Sequence, residues 1–297
     1  MNIEAAMIND DDVAAYRRQG FLVVNNVLST TELDALRSEL DIVVNQASAI
    51  SENNDVYDLE DSHSPEQPRV RRIKAPHRVM PTVNKVMRKP ELIAILTRLI
   101  GPGVRFQTSK LNMKSAGYGA PVEWHQDWAF YPHTNQDLLA VGVMLDDVDL
   151  DNGPMQVIPG SHTGPVYDHH ADGYFCGAMD PTRCDCNFED AVPLVGRAGS
   201  MTFHHVRAVH GSAPNRSGRS RNFLLYQFTA VDAWPLVQPV QDLAAYDGDI
   251  VAGEPTLIAR SEAVPIRMPL PPAQSAGSIY ENQRTLKNRY FDTETER

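Results

Sequence analysis

Trp124-His125-Gln126-Asp127-Trp128, taken with Val209-His210-Gly211-Ser212 and Arg221, decides how this chain is read. Side chains on a β-strand alternate between faces, so His125 and Asp127, placed on a strand, would present imidazole and carboxylate to the same side. His210 can add a third ligand from another strand. Two histidines and one carboxylate occupy one face of an octahedral metal and leave its other positions open, the donor set of non-haem Fe(II) oxygenases. Arg221 follows His210 by eleven residues. Its planar guanidinium suits bidentate pairing with the distal carboxylate of 2-oxoglutarate. Arg216 and Arg219 compete for that role, but the apolar run from Phe223 puts Arg221 at the start of a strand.

Working outward, short β-type runs fill the chain from residue 104: 104–112, 122–127, 138–145, 155–158, 200–203 and 223–229. Asp151-Asn152-Gly153-Pro154 and Pro159-Gly160-Ser161 punctuate them as turns. This is the texture of an all-β sandwich or jelly roll, interrupted by an insertion over 166–192. Upstream the pattern is mixed. Asn9 can cap a helix running to Arg18 and stopped by Gly20, and a strand is predicted over 21–28. Ser29 and Glu32 form a capping box before a helix over 30–46, where Leu33, Leu36, Leu40 and Val43 recur at helical spacing. Residues 47–70 are polar and read as a long mobile loop. A helix over 90–100 ends at Gly101-Pro102-Gly103. From residue 270 the chain reads as a trailing extension packed back on the body.

The chain has 297 residues, 42% hydrophobic and 22% charged, as expected of a globular protein, and can form a single domain. A formal net charge of −11 disfavours nucleic acid, which requires a concentrated basic surface. There is no apolar run of membrane-spanning length and no basic-then-apolar leader. Three cysteines without a secretion signal fit a reducing, cytoplasmic compartment. Oligomeric state is not legible at this level.

Four motifs, in order, carry a resemblance: Gln107-Thr-Ser-Lys-Leu-Asn112, Trp124-His-Gln-Asp-Trp128, Asn152-Gly-Pro-Met-Gln-Val-Ile-Pro-Gly-Ser-His162, and His210 through Arg221. With them the chain resembles the phytanoyl-CoA dioxygenase-like family of Fe(II)/2-oxoglutarate oxygenases. The resemblance implies a double-stranded β-helix with flanking helices: a helical flank over 1–103, a core over 104–235 and an extension over 236–297. It implies iron on His125, Asp127 and His210, and the distal carboxylate of 2-oxoglutarate on Arg221 assisted by Ser212. Asn112 matches a position that contacts the co-substrate. O2 is the second co-substrate, and the expected outcome is hydroxylation of a small-molecule metabolite or natural-product intermediate with release of succinate and CO2. A carboxylate at Asp127 argues against halogenation, because related halogenases have a small residue there. The alternatives are a cupin-type metal enzyme that does not use 2-oxoglutarate, or a catalytically silent metal-binding jelly roll.

Other residues have plainer readings. Trp128 and Tyr131 could stack on a co-substrate or substrate, or pack the barrel rim. His204 and His205 read as strand-end residues or as neighbours of the metal ligands, and His162 as a structural hydrogen-bonding residue. His169 and His170 could line the substrate entrance. Cys176, Cys184 and Cys186 fit free thiols better than zinc, whose structural sites take four ligands. Arg71, Arg72 and Lys74 suit a solvated face, with an anionic group on the substrate as the functional alternative.

Overall fold

The computed structural model describes residues 8–117, 119–237, 239–267, 273 and 278–291. Helix α1 (Asp10–Gln19) opens on a reciprocal capping box between Asn9 and Asp12 and closes on Gly20 in the left-handed conformation. Strand β1 (Phe21–Val24) follows, shorter than the predicted run. Helix α2 (Thr30–Gln46) has the predicted Ser29/Glu32 box and buries Leu33, Leu36, Leu40 and Val43. The predicted loop after it is partly ordered as a strand. β2 (Tyr57–Leu59) pairs antiparallel with β3 (Val70–Lys74), and Asn53 and Asn54 side chains cap the β2 backbone. Polar composition concealed the strand because its partner lies eleven or more residues away and supplies the burial. Helices α3 (Pro81–Met87) and α4 (Pro90–Ile100) each start on proline, where the missing N–H has no intrahelical partner to lose.

The remaining elements are mostly strands. They are β4 (Val104–Lys114), β5 (Val122–His125), β6 (Leu138–Met144), β7 (Met155–Val157), β8 (His170–Ala171), β9 (Tyr174–Phe175), β10 (Val192–Leu194), β11 (Met201–His205), β12 (His210–Ser212), β13 (Arg221–Ala230) and β14 (Ile250–Ala252). Short helices α5 (Leu243–Gly248) and α6 (Ile279–Asn282) complete the described chain. The larger sheet runs β1-β11-β6-β13-β4-β3-β2, with β14 also on β4; the smaller runs β10-β7-β12-β5. Every pairing within these two sheets is antiparallel. Together they form the expected jelly roll, a double-stranded β-helix with helices on one side.

The period-two alternation of β13 separates its two environments. Leu224, Tyr226 and Phe228 point to the helices and join a core with Leu36, Leu96, Leu111 and Phe203. Arg221, Phe223 and Leu225 point inward to the smaller sheet. Across the ladder Arg221 faces Lys114, Phe223 faces Asn112 and Leu225 faces Lys110, so these side chains share the inner face. No helix among the described residues is long and apolar enough to cross a membrane.

Candidate active site

β12 and β5 pair so that His210 lies opposite His125, with ring centroids 4.1 Å apart. β5 ends at His125. Asp127 opens a single 3-10 turn, Asp127–Ala129, so the convergence comes from a strand end followed by a turn rather than from one strand face as predicted. Gln126 between them is completely buried. Its backbone N–H donates to His169 Nε2 at 2.8 Å, and its side-chain amide donates to the Pro165 and Arg207 carbonyls and accepts from Tyr167 N. These bonds pull the backbone off the ladder and aim Asp127 inward.

His125, Asp127 and His210 each offer a ligand atom, and these atoms all lie within 4.8 Å of one another. The three residues are 4%, 3% and 5% exposed. His125 Nδ1 bonds the Glu123 carbonyl at 2.8 Å and His210 Nδ1 bonds the Ala208 carbonyl at 2.9 Å. A carbonyl can only accept, so each Nδ1 carries the hydrogen and each Nε2 keeps its lone pair. Burial pushes His125 down to about 4 and His210 well below its ordinary value, so both are neutral near pH 7. Burial alone would raise Asp127. His204, with Nε2 3.5 Å from Asp127 Oδ2, and the charge of Lys110 outweigh it and hold the carboxylate ionised. Two neutral imidazoles with fixed tautomers and one buried carboxylate fit a divalent transition metal.

The cavity beside this cluster encloses about 50 Å³. Wider surface clefts near Arg17 and Arg98 hold no such donor set among the described residues. Arg221 and Ser212 line the cavity as predicted, together with Asn112, whose buried Oδ1 has no partner. Arg221 donates through Nη2 to the Gly153 carbonyl, while its buried Nε is unpaired. Burial lowers Arg221 to about 10, still a cation at neutral pH. Gly153 has φ +72°, and a Cβ there would meet the Ala213 carbonyl oxygen at 2.6 Å, so the turn that presents this carbonyl requires glycine. Arg219 instead pairs with Asp149 at the surface. Arg216 is not among the cavity-lining residues.

Several expectations need correction. Trp128 does not line the cavity. It is 1% exposed, packs with Leu138, Val206 and Ala230, and donates its indole N–H to Pro265 O at 3.1 Å, which is the rim-packing alternative. His169 is a buried strut rather than an entrance residue, since both its ring nitrogens are bonded. His170 pairs with Asp168. Arg71 is buried between Glu60 and Glu281, not on a solvated face. The cysteines, by contrast, are free thiols as expected.

The structure also decides between readings left open for His204, His205 and Tyr131, and adds Lys110, Lys114, Ile279 and Tyr280, which the sequence reading passed over. His204 reaches the centre, its ring 4.5 Å from that of His210, while His205 on the opposite face packs on His162. The Tyr131 hydroxyl lies against Asp127 and Gln227. Lys114 donates to Ser212 Oγ at 2.8 Å, to Ser212 O at 3.3 Å and to Ala213 O. Lys110 completes a row with Asn112 and Lys114, and that period-two row was the signal available in the sequence. Ile279 and Tyr280 of the C-terminal segment close the cavity, and nothing local in their sequence marks them.

A family-wide profile for phytanoyl-CoA dioxygenase (PhyH) matches residues 16–223. The chain is 34% identical over 280 residues to a probable alpha-ketoglutarate-dependent hypophosphite dioxygenase of Stutzerimonas stutzeri, covering 93% of this chain and 97% of that one. It is 29% identical to an L-proline trans-4-hydroxylase of Streptomyces griseoviridis, covering 79% and 91%. The fold is shared with EctD from S. alaskensis, solved with 2-oxoglutarate and 5-hydroxyectoine: TM-score 0.62, 22% identity, 78% of this chain and 79% of that one. The chain therefore belongs to the phytanoyl-CoA dioxygenase family of non-haem Fe(II)- and 2-oxoglutarate-dependent oxygenases.

Proposed function

We propose that His125, Asp127 and His210 hold the ferrous iron, that Arg221 holds the distal carboxylate of 2-oxoglutarate with Ser212 and Asn112 beside it, and that the reaction hydroxylates a small molecule. The observation that carries this reading is the convergence of two neutral imidazoles and one carboxylate on a single buried point, within 4.8 Å, beside a buried arginine with an unpaired Nε. The named activities of relatives on proline and ectoine support a small-molecule substrate. Residues 1–297 act as one catalytic unit in this reading, supported by the C-terminal residues in the cavity wall. Three free thiols support a cytoplasmic location.

Bound there, iron and 2-oxoglutarate supply the activation of O2, with succinate and CO2 as co-products and one oxygen atom delivered to the substrate. The protein's part is positioning and electrostatics. The Glu123 and Ala208 carbonyls fix the two imidazoles by their Nδ1–H groups, and Gln126 holds the turn between His125 and Asp127. His204 and Tyr131 flank the Asp127 carboxylate. Arg221, anchored on Gly153, offers the rest of its fork to a carboxylate. Burial of the whole set excludes water and strengthens each of these interactions.

The test is succinate production with iron content measured in parallel. Asp127→Ala and His210→Ala are expected to lose iron affinity by about 100-fold or more, since disturbing even an outer partner of a metal ligand costs about 10–100-fold. Full iron loading and unchanged succinate release in Asp127→Ala would remove this assignment.

A further inference from the structure

One group of cations in this site is not accounted for by the co-substrate. Four basic side chains sit on the inner face of the larger sheet or at its edge: Arg221 on β13, Lys110 and Lys114 on β4, and Arg72 on β3. Arg72 lies opposite Asn112 in the ladder and so shares its face. Lys114 is bonded to three oxygens and Arg221 is anchored on Gly153. Lys110 and Arg72 differ. Among the described residues neither side chain has a hydrogen bond or ion pair, and the Arg72 Nε is buried without a partner. Their neighbours along β3 are committed elsewhere, Lys74 to Asp58 at 2.8 Å and Arg71 to Glu60 and Glu281. Asp127 is the carboxylate nearest in influence to Lys110, but it is a candidate metal ligand and its charge is shared with His204. Both side chains are half-buried, and cations partly removed from water are costly unless an anion meets them.

Tyr280 enters the same space from the C-terminal segment, outside the residues matched by the family profile. Its hydroxyl lies in the field of Arg221 and Arg72, and its ring packs under Arg71, 5.4 Å from the guanidinium carbon. Glu281, beside it, ties the segment to Arg71.

We propose that the primary substrate carries a small anionic group, bound by Lys110 and Arg72, with the Tyr280 hydroxyl as the donor that closes this subsite. The proposal rests on the assignment of Arg221 and Ser212 to 2-oxoglutarate, which leaves Lys110 and Arg72 free for a second anion. It gives the C-terminal segment a role in substrate selection: a neutral isostere would leave two half-buried cations unmet, and is rejected for that reason.

The test uses full-length protein holding Fe(II) and 2-oxoglutarate under anaerobic conditions, titrated with hypophosphite, phosphite, sulfate and acetate, with acetamide as the uncharged control. Binding is read as a change in the visible charge-transfer absorption of the co-substrate complex. At least one of the anions is expected to bind and acetamide is not. Lys110→Met should weaken that anion by about tenfold or more, as should Arg72→Met, while Lys110→Arg retains most of the affinity and Tyr280→Phe loses several-fold. The affinity of Arg72→Met for 2-oxoglutarate should stay within about twofold of the parent. Three results would overturn the proposal: no anion of the set binding, acetamide binding as well as the anions, or Arg72→Met losing 2-oxoglutarate affinity instead of anion affinity. Failure of the unsubstituted protein to show the co-substrate absorption would overturn the underlying assignment of Arg221, and is read before any anion is added.

Discussion

The Gly153 carbonyl holds one arm of Arg221, and the Nε of that guanidinium is buried with no partner in the protein. An unmet donor in that position is a cost that a bound carboxylate removes. Arg221→Met should therefore raise the apparent KM for 2-oxoglutarate by about tenfold or more, and Arg221→Lys should recover only part of it, because an ammonium cannot reproduce the planar fork. Steady-state kinetics with 2-oxoglutarate as the varied component check this. A second prediction concerns His133, which is buried, and His205, which is partly buried, both outside the candidate metal ligands. Burial holds His133 at about 4 and His205 at about 3, both below the ordinary value. The unfolded chain then binds protons that the folded chain excludes, so stability is full above about pH 6.5 and falls as the pH drops toward 4 and 3. Denaturant midpoints between pH 7 and pH 4 should decline across that window; a flat profile would contradict the burial of these rings. At this scale the candidate metal cluster was legible because His-x-Asp, a distant His-Gly-Ser and a trailing arginine form one chemical pattern. Trp128 was not, because an indole beside a metal strand packs equally well inward or on the rim, and only the Pro265 carbonyl decides it.

Helix α2 was readable to its ends, since its cap and its leucine spacing are both local. β5 was not. Its premature end at His125 depends on Gln126 reaching carbonyls at residues 165 and 207, which no window around residue 126 contains. The strand β2 was missed for the same reason, its stability coming from β3 and β3 in turn from β4. The C-terminal segment is attached to β5 through Glu123. The Glu123 carboxylate accepts from Tyr290 N at 3.0 Å and Phe291 N at 3.4 Å, and its backbone N–H donates to Gln283 Oε1 at 3.1 Å. Phe291 stacks on Trp124, centroids 5.7 Å apart, a pair worth about 0.5–1.5 kcal/mol beyond its burial. Glu123→Ala should release the segment while leaving the sheets intact. Hydrogen exchange would then quicken over 278–291 and stay unchanged in α2; unchanged protection of 278–291 would show that Glu123 is not the anchor.

Across the whole molecule, the helices cover one face of the larger sheet and leave its other face to the site, with the smaller sheet bringing His125, His210 and Ser212 against Asn112 and Arg221. Composition and turn spacing were enough to expect a jelly roll, because alternation and turns are local properties. The closure of the cavity by residues near 280 was not accessible, because it joins segments more than 150 residues apart. The central claim is that this closed space binds iron and 2-oxoglutarate together. The most direct measurement is anaerobic addition of Fe(II) and then 2-oxoglutarate, followed by visible absorption. The account predicts a weak charge-transfer band in the parent protein that is lost in His125→Ala and restored in Arg221→Met only at raised 2-oxoglutarate. Stoichiometric iron binding with no such band at any 2-oxoglutarate concentration would contradict it.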